Sequence, residues 1–382
     1  MSAKYKFLIV DPYYPEFLDT YYEEHPEAAS AGYAESLSGL MAQCFGTADF
    51  YSRNLRSLGH QAEDVVANDE LLQRKWAAET DVPMSAVPSV AARLAWRIPY
   101  VRRFTRNPDD WMLSLLLERV RLERPDVLFF HNIGLCEPWL IRQVRPLVRL
   151  IVGQIACIPP ADRYLRGCDL ILTSFPHYVK RFRAMGIDTE YFRLGFESTV
   201  LDRLERRSQG YDVSFIGGIL DVHADATATL ERVADEVNLD FWGYGEERLS
   251  PDSPLLRRFH GRAWGLEMYD ILYNTRIAVN RHGAVSEAYA NNMRLFEATG
   301  VGALLLTNHR DNLGEMFDVG KEIETYRDAD ELVEKTRFYL AHEPERAQIA
   351  RAGQARTLSE HTFQRRMEEL EAILEPRLRR RR

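Results

Sequence analysis

Only four cysteines occur in the 382 residues, at positions 44, 136, 157 and 168. No two of them form a Cys-x-x-Cys pair, and with the ten histidines they make no cluster of zinc-ligand spacing. A disulfide-stapled scaffold and a structural zinc domain are thereby excluded, and reduced thiols in a cytoplasmic protein are expected. Long hydrophobic runs are absent too. No window approaches the ~18 uncharged apolar residues of a membrane span. The start of the chain, Met1 to Lys6, runs straight into a strand-like segment without the apolar stretch of a signal peptide. Positive charge is in deficit: 49 Lys and Arg stand against 57 Asp and Glu, a net charge of −8. A protein that grips a nucleic-acid backbone is usually basic, so no nucleic-acid partner is expected. The local exception is the tail 377–382, with Arg377, Arg379, Arg380, Arg381 and Arg382. It reads either as a solvated terminus or as a weak peripheral contact with anionic lipid at the inner membrane face. Finally, no Asp-x-Asp pair follows a strand. Asp328 and Asp330 precede a helix and read as its N-cap region, so no metal is expected.

What is present is apolar material for two cores. Apolar residues make up 46% of the chain, including 18 Phe, 18 Tyr and 6 Trp, which excludes extensive disorder. At about 150 residues per domain the length predicts two domains. Short apolar runs predict buried strands at 7–11, 61–66, 126–130, 150–152 and 170–173. Helices are predicted at 47–58 and over much of 70–124, where Trp96, Trp111, Leu113 and Leu115–Leu117 give an apolar face. Residues 195–211 are turn-like and charged. The pattern then restarts with strands at 213–216, 239–242, 276–280 and 303–307 and helices at 226–235, 294–298, 330–340 and 362–374. Alternating strands and helices predict an α/β class with parallel sheets. The division is 1–200 for a first Rossmann-like domain and 201–359 for a second. A helix at about 360–376 is a candidate to pack back on the first.

In such sheets ligands bind beyond the carboxyl ends of the strands, so residues just after strands are the candidates. Gly217 and Gly218 follow Ile216, where glycine lets backbone N–H groups approach a phosphate; a plain turn is the other reading. His131, His177 and His282 follow strands, as does Asp11. A histidine there hydrogen-bonds a sugar hydroxyl, moves a proton or serves only the core; Asp11 is a base or a loop cap. The densest group runs from Asn280 to Gly283 and from Asn292 to Gly300. Arg294 and Glu297, three apart, share a helix face. They fit either a local ion pair or a nucleoside diphosphate, with guanidinium on phosphate oxygens and carboxylate on ribose hydroxyls.

The stretch from Asn292 to about Thr362 resembles the second domain of GT-B glycosyltransferases of the CgeB-like, "glycosyl transferases group 1" type. The matching words are Asn292-x-Arg294-x-Phe296-Glu297-Ala298-x-Gly300, Gly302 to Thr307, Asn312 to Phe317, Gly320 to Ile323, Thr325-Tyr326, Arg346-x-x-Ile349-Ala350-x-Ala352-Gly353 and Thr357-x-x-Glu360-His361-Thr362. Phe215 to Gly218 and Met268-Tyr269 also fit, while residues 1–200 match only in αβ pattern. The resemblance implies a GT-B fold, two Rossmann-like domains facing each other across a cleft, and a nucleotide-sugar site without a metal or other cofactor. It implies Glu297 at the ribose and Arg294 with Asn292 near the diphosphate. From their places after strands, Gly217, Gly218 and His282 are expected to complete the donor site, and His131 to contact the donor sugar or assist proton transfer from the acceptor hydroxyl. Many retaining relatives carry two glutamates eight apart; here Tyr289 stands eight before Glu297, and the nearest upstream glutamate is Glu287. The expected activity is metal-independent transfer of a hexosyl or related group from a nucleotide sugar to a glycan or lipid-linked acceptor in the cytoplasm. The alternatives are a non-catalytic nucleotide-sugar or glycan-binding protein and a sugar-nucleotide epimerase on the same fold.

Overall fold

Six segments of the first half pair as parallel strands in the order β2-β1-β3-β4-β5-β6. They are β1 (Lys6–Asp11), β2 (Gln61–Val66), β3 (Val127–Phe130), β4 (Leu150–Ile155), β5 (Leu170–Thr173) and β6 (Thr189–Tyr191). This is a computed structural model, and it describes residues 4–84, 110–219 and 224–380. The described helices of this half are α1 (Pro15–Glu24), α2 (Tyr33–Met41), α3 (Phe50–Ser57), α4 (Glu70–Glu79), α5 (Asp110–Glu123), α6 (Pro138–Val144), α7 (Asp162–Leu165) and α8 (Pro176–Ala184). Phe7, Leu8, Val10, Leu128, Phe129, Phe130, Ile151 and Leu172 are buried almost completely, as strands covered on both faces must be. Trp111, Leu113 and Leu115–Leu117 are buried as the apolar-face reading requires, while Trp96 lies outside the described residues. All four cysteines are free; Cys44, Cys136 and Cys168 are buried and Cys157 is exposed.

The second sheet has the order β11-β10-β9-β7-β8, again parallel throughout. Its strands are β7 (Tyr211–Ile216), β8 (Leu239–Trp242), β9 (Thr275–Asn280), β10 (Leu304–Asn308) and β11 (Glu324–Tyr326). With them come α9 (Ala224–Glu236), α10 (Gly265–Tyr273), α11 (Arg294–Gly300), α12 (Ala329–Ala341), α13 (Glu343–Glu360) and α14 (Phe363–Arg380). Val213, Phe215, Phe241, Ile277, Val279, Leu304 and Leu306 form the sheet side of one core, against Leu230 and Val233 of α9 and Leu332 of α12. Among the described residues the first compact unit comprises those up to Thr173, His177–Tyr191 and those from Leu370 on. The second comprises Ser174–Pro176 and Phe192–Glu369, so the turn-like segment 195–211 lies inside it.

Three elements escape pattern reading. Strands β6 and β11 are only three residues long and carry Thr, Glu and Tyr rather than an apolar run. Helix α13 has no apolar stripe: its buried face is Arg346, Ile349, Ala350, Gly353 and Thr357. Those positions keep helical spacing, but the face is built for close approach. A Cβ on Gly353 would stand 2.2 Å from the Glu322 carbonyl oxygen, so only glycine fits there.

The first residues of the basic tail belong to a helix rather than to a solvated terminus. Helix α14 continues through Arg380, past Pro376, with Phe363, Met367, Leu370, Leu374 and Leu378 buried along one side. Arg377 is therefore a fixed helical residue. Its Nε and Nη2 donate to the two Asp188 carboxylate oxygens at 2.8 and 3.0 Å, and Nη2 also meets Glu190 Oε1 at 2.8 Å. Arg379 pairs with Glu375 at 2.6 Å. Two of the five arginines thus have their charge answered by carboxylates within the fold. Arg377→Gln is expected to cost about 1 kcal/mol of stability, the scale of a partly exposed bidentate pair. Denaturant midpoints check this; an unchanged midpoint would show the pair to be idle.

Candidate functional site

In the second sheet the order of connection reverses between β7 and β9, which opens a crevice beyond their carboxyl ends. Gly217 and Gly218 lie at the end of β7, and Arg281 and His282 at the end of β9. The two glycines have different surroundings. The Gly217 N–H is spent on the Trp242 carbonyl at 3.0 Å, extending the pairing with β8. Gly218 lies against the Tyr244 ring, where a Cβ would come within 2.5 Å, and its carbonyl accepts from Arg281 Nη2. The pair therefore makes room and anchors an arginine, rather than offering the Gly217 amide to a phosphate.

Glu297 and Arg294 sit one turn apart at the start of α11, joined at 2.7 Å between Oε2 and Nη1. Both are largely enclosed, with side-chain exposures of 7% and 14%, so this is not a surface ion pair. Burial pushes the Glu297 carboxyl up, opposed by Arg294 and by the Tyr269 hydroxyl. Arg294 also reaches the Met268 sulfur at 2.8 Å and the Ile216 carbonyl at 3.4 Å, tying α11 to the end of β7.

Two further arginines stand here: Arg281, inside the group singled out in the sequence but given no role there, and Arg310, which sequence reasoning missed. Arg281 lies over the Phe215 ring, 5.4 Å from its centroid, and its Nη1 is buried with no hydrogen-bond partner among the described residues. Arg310 donates to the carbonyls of His309 at 2.8 Å and His282 at 3.5 Å. Among the described residues neither has a carboxylate at ion-pair distance, and burial pushes both guanidinium pKa values down. A buried cation without a counter-charge is costly, and a bound anion relieves that cost. The sequence signal for Arg281 was its place just after a strand; Arg310 follows β10 by two residues in the same way.

Asn292 and His282 brace this group. Asn292 Nδ2 donates to Asn280 Oδ1 at 2.8 Å and to the Arg281 carbonyl at 3.1 Å. His282 Nδ1 accepts from the Asn291 N–H at 3.3 Å, so Nε2 carries the proton toward Thr307 Oγ1 at 3.2 Å. Burial and Arg310 push His282 down to about 3, which keeps the ring neutral. Both ring nitrogens are used internally, so His282 holds the loop in place.

His131 lies in the first unit, beyond β3, where the connection order of that sheet reverses between β1 and β3. Its Nε2 is 3.4 Å from Thr47 Oγ1, and the Tyr51 ring meets it edge-on at 4.6 Å. Burial pushes it down to about 4. Asp11, at the end of β1, is pushed up to about 7 by burial and by Asp64, while Thr47 works the other way. Asp64 is likewise pushed up to about 7 by burial, against a hydrogen bond from Ser52. His177, at the start of α8, packs edge-on against Tyr178.

The raised carboxyl pKa at Asp64 has a stability consequence. Its ordinary value is 3.8, so between about 4 and 7 the folded chain keeps a proton that the unfolded chain has lost. The resulting stabilisation is complete below about pH 4 and is lost as pH rises through 7. Asp64→Asn lacks that loss, so it should gain on the wild type between pH 5 and pH 8. Urea midpoints at both pH values test this, and a constant difference would contradict it.

Residues 222–372 match the family model described as glycosyl transferase-like. No curated protein matches the chain in sequence. Solved structures match it over nearly its full length. A glycosyltransferase from Rickettsia africae ESF-5 is 11% identical, with 98% of this chain and 99% of that chain covered and a TM-score of 0.59. Anabaena Alr3699/HepE in complex with UDP-glucose is 10% identical over 97% and 100%, with a TM-score of 0.60. The sucrose-phosphate synthase of Thermosynechococcus elongatus is 12% identical over 98% and 99%, with a TM-score of 0.56. The chain has the GT-B fold, and within it residues 222–372 are similar to the glycosyl transferase-like family.

Proposed function

We propose that this protein transfers a glycosyl group from a nucleotide sugar to an acceptor hydroxyl. The observation that carries the reading is the group at the carboxyl ends of β7 and β9: a buried Arg294–Glu297 pair beside Arg281 and Arg310, two cations with no carboxylate at ion-pair distance among the described residues. That charge pattern suits a diphosphate with an adjoining ribose. The Anabaena relative of the same fold has been solved with UDP-glucose and with UDP, which supports this class of ligand. In this reading Glu297 accepts from the ribose hydroxyls, and Arg281 and Arg310 face the diphosphate. Arg294 fixes the Glu297 carboxylate, and Asn292, His282 and Gly218 hold the arginine-bearing loops. As the bond from the anomeric carbon to the phosphate oxygen breaks, charge grows on the leaving diphosphate, and preorganised guanidinium groups lower the barrier. The acceptor oxygen bonds to that carbon as the phosphate oxygen leaves, and the hydroxyl proton passes to the departing diphosphate and on to water. His131, neutral at pH 7, accepts or donates a hydrogen bond to a sugar hydroxyl in the first unit.

The setting in this reading is the cytoplasm, with a glycan or lipid-linked acceptor and a hexosyl or related group transferred. The CgeB-like subtype is part of this proposal. No helix among the described residues is long and apolar enough to cross a membrane. Membrane contact through the tail would rest on Arg380 to Arg382, since Arg377 and Arg379 already face carboxylates.

Transfer is expected to survive EDTA. Contrary to the sequence reading, Asp328 and Asp330 do follow a strand, β11, but Asp328 caps α12 by accepting from the Glu331 N–H at 2.9 Å. Arginine side chains supply the positive charge that a metal would otherwise bring. Loss of activity restored by manganese or magnesium would contradict this. The ligand assignment itself is tested by thermal shift against nucleoside mono- and diphosphates, because a ligand of the native state raises the melting point. A shift by diphosphates above that by monophosphates is expected; no shift by any nucleotide would remove the reading.

A further inference from the structure

At the other end of the second sheet, Arg206, Arg276, Arg346 and Arg351 line one cavity of about 300 Å³. Its floor is the start of β9 at Asn274–Arg276, with Gly302 beside it and the first turns of α13 as a wall. The only carboxylate in the lining is Glu343. Glu343 Oε2 is shared: Arg276 Nη2 meets it at 2.9 Å, and Arg346 Nη2 donates to the same oxygen. Arg276 has a second partner in Asp212 at 2.9 Å. Among the described residues Arg206 pairs with no carboxylate; it donates to the Tyr273 carbonyl and lies 3.8 Å above the Tyr273 ring. Arg351 is exposed at the rim. Counting both carboxylates, four guanidinium groups face two negative charges, in a protein whose net charge is −8.

A second observation comes from Arg346 itself. Its residue exposure is 7%, yet its Nη1 is buried with no hydrogen-bond partner among the described residues. Burying a cationic N–H without an acceptor is unfavourable, and Arg276 adds like-charge repulsion. An oxyanion in the cavity would supply the missing acceptor and offset both costs.

We propose that this cavity is an anion site for a phosphate group, separate from the nucleotide site at the opposite ends of the same strands. Strand β9 runs from Thr275 at this cavity to Asn280 beside Arg281, a span of roughly 17 Å at the usual rise per residue. The phosphate is that of the free ion or of a sugar monophosphate, both of which present the same doubly charged oxyanion.

Isothermal titration with inorganic phosphate and with glucose 6-phosphate, each in sodium chloride of matched ionic strength, tests the site. The expected result is saturable binding of at least one of them to the wild type. Arg351→Gln and Arg206→Gln should each weaken it roughly tenfold, the scale of one charge-assisted bond. Arg281→Gln should leave it unchanged. Both variants change exposed side chains, so folding is not at stake as it is with Arg346. Tighter binding of one probe identifies the source of the phosphate. The proposal is overturned by the absence of binding beyond the chloride control, by full affinity in both rim variants, or by loss confined to Arg281→Gln.

Discussion

Glu297→Gln is expected to weaken nucleoside diphosphate binding by about 1.5–3 kcal/mol, roughly tenfold to a hundredfold in affinity. The carboxylate is 5% exposed and is held at 2.7 Å by Arg294, so its two oxygens have fixed directions. Glutamine keeps the shape and removes the charge. It also replaces one acceptor oxygen by a donor, which cannot accept from a ribose hydroxyl. Turnover should fall at least as far, since misplaced donor is poorly transferred. The variant also leaves Arg294 without its counter-charge, so the melting point must be measured beside the affinity. A folded variant with unchanged diphosphate affinity would contradict the ribose assignment.

Arg281→Ala should separate diphosphate from monophosphate recognition. Diphosphate affinity is expected to drop by about 2 kcal/mol, with a smaller loss for the monophosphate. Stability should barely change or should rise. The wild-type guanidinium is buried with an unpartnered Nη1, so its removal relieves a cost in the empty protein. Equal losses for the two nucleotides would move the diphosphate elsewhere. Arg294→Ala is the less clean experiment, because it strands a buried carboxylate and should cost about 3–5 kcal/mol of stability by that route alone.

The strand-helix alternation and the break between two sheets were legible because parallel strands buried on both faces must be short apolar runs. Phe129, Ile151, Leu172 and Leu305 are buried as that pattern requires. Helix α13 was not legible, because its packing uses Gly353 and Thr357 where a pattern search looks for leucine. At the site, the three-residue spacing of Arg294 and Glu297 correctly announced a shared face. Spacing carries no information on burial, however, and burial is what makes the pair more than a surface contact. Arg281 and Arg310 follow strands and were visible in principle. What distinguishes them is a missing partner, a property of three-dimensional packing. Gly217 shows the converse: a glycine after a strand suggested a phosphate loop, and its amide proved to be engaged with Trp242.

The central claim is best tested by mass spectrometry of reactions containing a panel of nucleotide sugars and hydroxyl acceptors. The account predicts nucleoside diphosphate and an acceptor heavier by one glycosyl residue in equal amounts, both formed at least tenfold more slowly by Glu297→Gln. Tight nucleotide-sugar binding with no diphosphate released from any pairing, or an isomerised donor without acceptor gain, would contradict it.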